Sequence, residues 1–280
     1  MLRSSPIRVL NDRDIDGASA VLSRDPVANV FIASRVESCG LDARRLGAEI
    51  WGYARNGNLS AVCYAGANLV PAGADDVAAR AFAERARSHG RHCSSIVGPL
   101  DAVDAIWSHL QRAWGAPREV RRPQPHLMIE RDPQVSPDPA VRRVRPDELD
   151  VVLPACVAMF TEEVGVSPTV GDGGALYRAR VAELIAEGRS FARIEDGRVV
   201  FKAEIGAATR EVCQVQGVWV DPTLRGSGIG TRGTAAVVAL ARATVAPTVS
   251  LYVNDFNAAA RAAYDRVGFR EVGAFASILF

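Results

Sequence analysis

Lysine is almost missing from this 280-residue chain: Lys202 is the only one, and arginine supplies the rest of the 33 basic residues. These face 32 acidic residues, and the resulting net charge of +1 creates no field that would draw nucleic acid or an anionic membrane. Cysteine is sparse and unpaired in pattern. Cys39, Cys63, Cys93, Cys156 and Cys213 are odd in number, widely spaced and free of CxxC pairs, which argues against a disulfide framework and a zinc ribbon. The four histidines, His89, His92, His109 and His126, all lie in the first half without metal-ligand spacing, so no metal site is expected. No apolar run reaches the ~18 residues of a membrane span, and the first residues hold no apolar signal-peptide core. A soluble, cytoplasmic monomer or homodimer, with no membrane and no nucleic-acid partner, is expected.

What is present points to two domains. At 48% hydrophobic the chain can bury two ordinary cores, since domains cluster near ~100–150 residues. Between Arg131 and Pro139 three prolines alternate with polar residues, and neither a helix nor a sheet ladder continues through such a stretch. The expected division is a domain over 1–131, a linker over 132–140 and a domain over 141–280.

The halves echo each other. Ile7 to Asp16 and Val141 to Asp150 each read as a strand, a turn and an acidic helix start. Hairpin turns are predicted at Arg55-Asn56-Gly57-Asn58 and at Glu195-Asp196-Gly197-Arg198. Ser94 to Asp101, with the helix through Trp107, parallels Ser250 to Asn257 and the helix bearing Tyr264.

The halves differ most at one loop. In the second, the β-branched run Val212 to Val220 reads as a buried strand stopped at Asp221-Pro222, because proline has no N–H to donate. Arg225-Gly226-Ser227-Gly228-Ile229-Gly230-Thr231 follows and opens a helix with Ile229, Ala236, Val237 and Leu240 at core-facing spacing. Glycines let backbone N–H groups turn toward an anion, and the helix N-terminus adds partial positive charge and unpaired donors, so a pyrophosphate is the natural ligand. A P-loop would need Gly-Lys before Ser or Thr, and a dinucleotide fingerprint would need an acidic residue ~20 positions on; neither pattern is met. The corresponding stretch of the first half, Val70-Pro71-Ala72-Gly73-Ala74-Asp75-Asp76, has one glycine and two carboxylates that would repel a pyrophosphate.

Downstream come a strand from Val249 to Asn254, a helix from Asn257 to Val267 ending at Gly268, and a strand starting at Phe269. With Arg225, Gly228 and Gly230 in the loop, and Asn254, Asn257, Tyr264, Gly268 and Phe269 after it, residues 141–280 resemble the GNAT superfamily of acyl-CoA N-acyltransferases. The resemblance implies an α/β (α+β) fold, a mixed, mostly antiparallel sheet flanked by helices, in tandem with a degenerate GNAT-like first half. It implies acetyl-CoA as cofactor, gripped by Arg225, Gly226, Ser227, Gly228, Ile229, Gly230 and Thr231, with Asn254 and Asn257 also on the cofactor. Val218 and Val220, on the strand edge, are implied to pair with pantetheine, the Val218 amide serving the oxyanion. Tyr264 is implied to donate the proton to the departing thiolate.

The acceptor and the base are less defined. Family members that use a strand glutamate place it where this chain has Gln214, which cannot serve. Glu204 is the first candidate for catalytic base; alternation puts it on one face with Lys202, an arrangement equally suited to a surface ion pair. Glu162 and Glu163, where the family's first two helices meet, are candidates to recognise a cationic amine, or form an acidic helix end in water. The function expected is direct transfer of an acetyl group to a primary amine of a metabolite or protein in a ternary complex. Two alternatives remain: an acyl-CoA-binding regulatory protein with vestigial catalysis, and a tandem transferase of a larger acyl or aminoacyl group.

Overall fold

The computed structural model describes residues 6–171 and 173–280. In chain order its strands and α-helices are β1 (Ile7–Val9), α1 (Ile15–Leu22), α2 (Val30–Cys39), α3 (Ala43–Leu46), β2 (Glu49–Arg55), β3 (Asn58–Ala65), β4 (Asn68–Ala72), α4 (Asp76–His89), β5 (Ser95–Pro99), α5 (Leu100–Trp114) and β6 (Glu119–Ile129). There follow β7 (Arg142–Arg143), α6 (Leu149–Val164), α7 (Ala175–Ala186), β8 (Ser190–Glu195), β9 (Arg198–Ala208), β10 (Val212–Val220), α8 (Ile229–Thr244), β11 (Thr248–Tyr252), α9 (Ala258–Val267) and β12 (Arg270–Leu279).

Contacts divide the chain into two compact units. The first holds 1–127, 252–256 and 271–280; the second holds 128–251 and 257–270. Chain order alone assigns the last strand to the second half, but its contacts place it in the first, where Phe275 to Leu279 pair antiparallel with Ser95 to Pro99 of β5. The 132–140 segment belongs to the second unit: Gln134 N–H donates to the Val267 carbonyl (2.9 Å) and Asp138 N–H to that of Arg232 (3.1 Å).

The repeat read from sequence is a repeat of topology. In the first unit β1-β2-β3-β4 pair antiparallel in turn and β4 pairs parallel with β5; β12 and β6 extend the sheet. In the second, β7-β8-β9-β10 pair antiparallel and β10 pairs parallel with β11. Both predicted hairpin turns form, with Asn56 and Gly57, and Asp196 and Gly197, all at positive φ. Two apolar clusters fill the first unit, one under α4 and α5 around Phe82, Ile96 and Ile106, the other under α1 and α2 around Leu10, Ile32 and Ile50. In the second, Val152, Cys156, Val181 and Ile185 of α6 and α7 pack on Ala192 and Val199 of the sheet. The α8 side closes where Gly233 meets the Phe201 ring, so tightly that a Cβ at Gly233 would lie 2.7 Å from it.

The start of α6 is fixed by charge. Glu148 accepts from both Arg142 guanidinium nitrogens (2.7 Å each) and from the Arg145 N–H (2.9 Å). The bond to Arg142, ahead of the opposing effect of burial, holds its carboxyl down at about 2. A depressed folded-state pKa stabilises the fold above the ordinary value of 4.5 and loses that contribution as pH falls toward about 2. Glu148→Gln is therefore expected to cost about 2 kcal/mol at pH 7, and urea titrations of both proteins at pH 3 should show a smaller difference.

Candidate functional site

The loop after β10 has the form expected of an anion cradle. Asp221 ends the strand and caps a short 3-10 turn, its side chain accepting from the Thr223 N–H (2.9 Å). Gly226 and Gly228 take φ of 79° and 82°, open to glycine at little cost, and a Cβ at Gly226 would meet nothing within 4 Å. Gly228 is the N-cap of α8 and provides no side-chain cap for the first-turn N–H groups, those of Ile229, Gly230 and Thr231, which helix geometry leaves without an intrahelical acceptor. Ser227 Oγ turns back to the Leu224 carbonyl (2.6 Å). Two guanidinium groups flank the loop: Arg225, and Arg232, whose Nη1 lies 3.1 Å from where a Gly228 Cβ would stand. Arg232 escaped the sequence reading, although its place one helical turn past Gly228 was a usable signal.

The first unit lacks this cradle at the matching helix. Asp75 caps α4, accepting from the Ala78 N–H (2.9 Å), and pairs with Arg55 (2.6 Å). The N-terminus that has no side-chain cap in α8 is capped in α4 by the chain's own carboxylate. Beyond the pairs Asn68 opposite Ser95 and Leu69 opposite Ile96, the space beside β5 is taken up by Pro71 of β4, which would lie 3.3 Å from a Cβ at Gly98.

In the second unit the corresponding pair is also short. β10 and β11 pair from Val212 opposite Thr248 to Gln214 opposite Ser250, and among the described residues β10 then continues without β11 to Val220. Just beyond, Gln216 faces Glu204 and Trp219 faces Lys202, so Gly217 and Val218 together oppose Ala203 in a bulge. Gly217 sits at φ 60°, and a Cβ there would lie 3.0 Å from Met159 Cε and 3.2 Å from both Glu204 Oε1 and Lys202 Nζ.

Behind the bulge lies a buried charged cluster. Lys202 is 1% and Glu204 5% exposed, and their side chains are in direct contact. The expected surface ion pair thus forms but is not at the surface, because α6 covers that face and adds Cys156, whose Sγ is 3.5 Å from Lys202 Nζ. Burial works to lower the Lys202 pKa, but the charges of Glu204 and Cys156 and their hydrogen bonds outweigh it and hold it above the ordinary range. Burial pushes the Cys156 thiol up.

The remaining residues separate. Asn257 caps α9, its side chain accepting from the Ala260 N–H (3.1 Å). Asn254 falls in the first unit, where its Oδ1 accepts from Gln124 Nε2 (2.8 Å). Tyr264 is 7% exposed and packs edge-on against Phe269; burial, with the Glu163 charge second, raises its pKa, so the phenol keeps its proton. Glu162, at the end of α6, accepts from Arg225 Nη2 (2.8 Å) and Trp219 Nε1 (3.2 Å), a bridge that no sequence pattern signalled. Among the described residues no group of three or more His, Cys, Asp or Glu is placed to hold a metal ion. No helix of the described residues is long and apolar enough to cross a membrane.

Residues 167–269 match the profile of the acetyltransferase (GNAT) family, and 48–152 match a domain of unknown function (DUF4081). None of the curated proteins compared matches the chain. Among solved structures, a GNAT-family acetyltransferase from Colwellia psychrerythraea is 13% identical with a TM-score of 0.55, the match covering 98% of this chain and 99% of that one. A GCN5-related N-acetyltransferase from Sphaerobacter thermophilus is 15% identical with a TM-score of 0.59, over 99% and 96%. A tandem GNAT protein from the clavulanic acid biosynthesis pathway is 15% identical with a TM-score of 0.54, over 98% of each. At these identities the likeness is one of fold. The chain therefore has the tandem GNAT fold, and its residues 167–269 match the GNAT acetyltransferase family, whose members generally bind acyl-CoA.

Proposed function

We propose that the second unit is an acetyl-CoA-dependent N-acetyltransferase acting on a primary amine by direct attack, and that the first unit is a GNAT-like accessory domain without its own cofactor seat. The observation that carries this reading is the uncapped glycine cradle at α8 beside the point where β10 leaves β11. Acetyl-CoA supplies a thioester whose acyl carbon is open to attack. Arg225, the N–H groups of Gly226 to Thr231 and the α8 N-terminus hold the pyrophosphate. Val220 offers its backbone to pantetheine, and the Val218 N–H, at the bulge, stabilises the developing oxyanion. Asn257 supports the cofactor from the α9 N-terminus. Glu162 and Glu163 attract the cationic acceptor, Glu204 beside Gly217 takes its proton, and Tyr264 gives one to the thiolate.

The test is release of CoA from acetyl-CoA across a panel of primary amines, with calorimetry for binding; a protein that binds no acetyl-CoA does not fit this proposal. Tyr264→Phe should lower kcat by about tenfold to thousandfold with little change in CoA affinity, because a thiol near pKa ~8.5 needs only modest acid help. A second reading, an acyl-CoA-responsive regulatory protein, is favoured by Lys202 covering the Glu204 carboxylate. Binding without turnover on every amine would support it, whereas any rate that falls in Tyr264→Phe would exclude it.

A further inference from the structure

Glu162 holds two parts of the cradle at once. Its Oε2 accepts from Arg225 in the glycine loop and its Oε1 from the Trp219 indole N–H on β10, while Arg225 Nε also donates to the Val220 carbonyl (3.1 Å). The neighbouring carboxylate does something different, since the Glu163 charge acts on Tyr264 and Tyr177. The Glu162–Arg225 pair is half in water, the side chains being 47% and 49% exposed. Ion pairs so placed are strong enough to bias an equilibrium by about two- to fivefold and too weak to lock it. Arg225 is also one of the two guanidinium groups that flank the glycine loop, within reach of an anion held there. When phosphate oxygens take its guanidinium, Glu162 loses its counter-ion beside a new negative charge and is left, half in water, open to another cation.

We infer that Glu162 serves two cations in turn: Arg225 while the cradle is free, and the ammonium of the acceptor once a pyrophosphate holds Arg225. This rests on the reading of residues 225–231 as the pyrophosphate seat. Cofactor binding then prepares the acceptor site by releasing a carboxylate rather than by moving an element. Linkage makes the effect reciprocal: any cation that draws Glu162 away from Arg225 tightens CoA binding by the same factor. Trp219 reports the exchange, because its indole N–H loses its partner when Glu162 leaves.

The experiment is calorimetric titration of CoA into the wild type and Glu162→Gln, with 1-butylamine as the probe cation against sodium chloride at equal ionic strength. Glu162→Gln is expected to bind CoA about two- to fivefold tighter than the wild type. Butylammonium should tighten CoA binding to the wild type, by up to the same factor, and leave Glu162→Gln unchanged. Tryptophan emission should shift on CoA addition in the wild type and lose that shift in Trp219→Phe, which retains Trp51, Trp107 and Trp114. Unchanged or weaker CoA binding by Glu162→Gln, or wild-type affinity indifferent to butylammonium, overturns the inference while leaving the cofactor seat intact. A wild type that binds no CoA removes the seat itself, and this inference with it.

Discussion

Replacing Arg225 by glutamate is expected to weaken acetyl-CoA binding by about 100-fold or more. The guanidinium is one of two cations flanking a loop whose other contributions are backbone N–H groups and a helix terminus. Charge-assisted bonds to phosphate are roughly twice as strong as neutral ones, and a carboxylate in their place adds repulsion to the loss. It would also face Glu162 across the 2.8 Å now bridged by an ion pair, which leaves two anions at the mouth of the proposed anion seat. The fold should survive, because Arg225 is half-exposed and lies outside the apolar clusters. Calorimetry with acetyl-CoA reads the affinity and thermal unfolding the fold. Affinity within tenfold of the wild type would move the pyrophosphate elsewhere.

The second large effect is expected at Gly217. Alanine there must hold φ near 60°, where a Cβ costs roughly 1–2 kcal/mol. That Cβ would stand 3.2 Å from both Lys202 Nζ and Glu204 Oε1, tight contacts against charged atoms that cannot retreat without leaving each other unpaired inside the protein. The cheaper response is for the bulge to shift, carrying the Val218 N–H with it. A displacement of ~1 Å at a reacting centre costs about 100-fold in rate, whereas the proposed pyrophosphate seat, on the far side of Asp221, is untouched. Gly217→Ala should thus lower kcat by about 10- to 100-fold and leave CoA affinity within a few-fold of the wild type, a split that steady-state kinetics and calorimetry together read. Equal losses in both would mean that the bulge and the seat are one rigid piece.

What was legible in the chain was local. Glycines at positive φ, a proline that stops a ladder and a helix that starts at once mark the strand-loop-helix turn at 220–229 from neighbours within a few positions, and Asn56-Gly57 and Asp196-Gly197 mark their turns in the same way. Alternation correctly put Lys202 and Glu204 on one face. It carried no information on what covers that face, and the cover is Cys156, 46 residues earlier on α6. Glu162 and Arg225, 63 positions apart, meet for the same kind of reason: the packing of α6 against β10 brings them together, and neither residue's neighbours announce the other. The last strand is the extreme case, since Ala276 and Ile278 read as any buried strand would, yet join a core built from residues near the start of the chain.

That last strand sets an order of completion. The second unit's residues are all in hand once Arg270 has been made, whereas the first unit, begun earlier, still lacks β12 between β5 and β6 and the Ala276 and Ile278 side chains of its core. The half of the chain that is synthesised first is finished last. A fragment ending at residue 131 is accordingly an open sheet with a strand-wide gap beside β5, and the loss of ten C-terminal residues is an injury to the N-terminal unit.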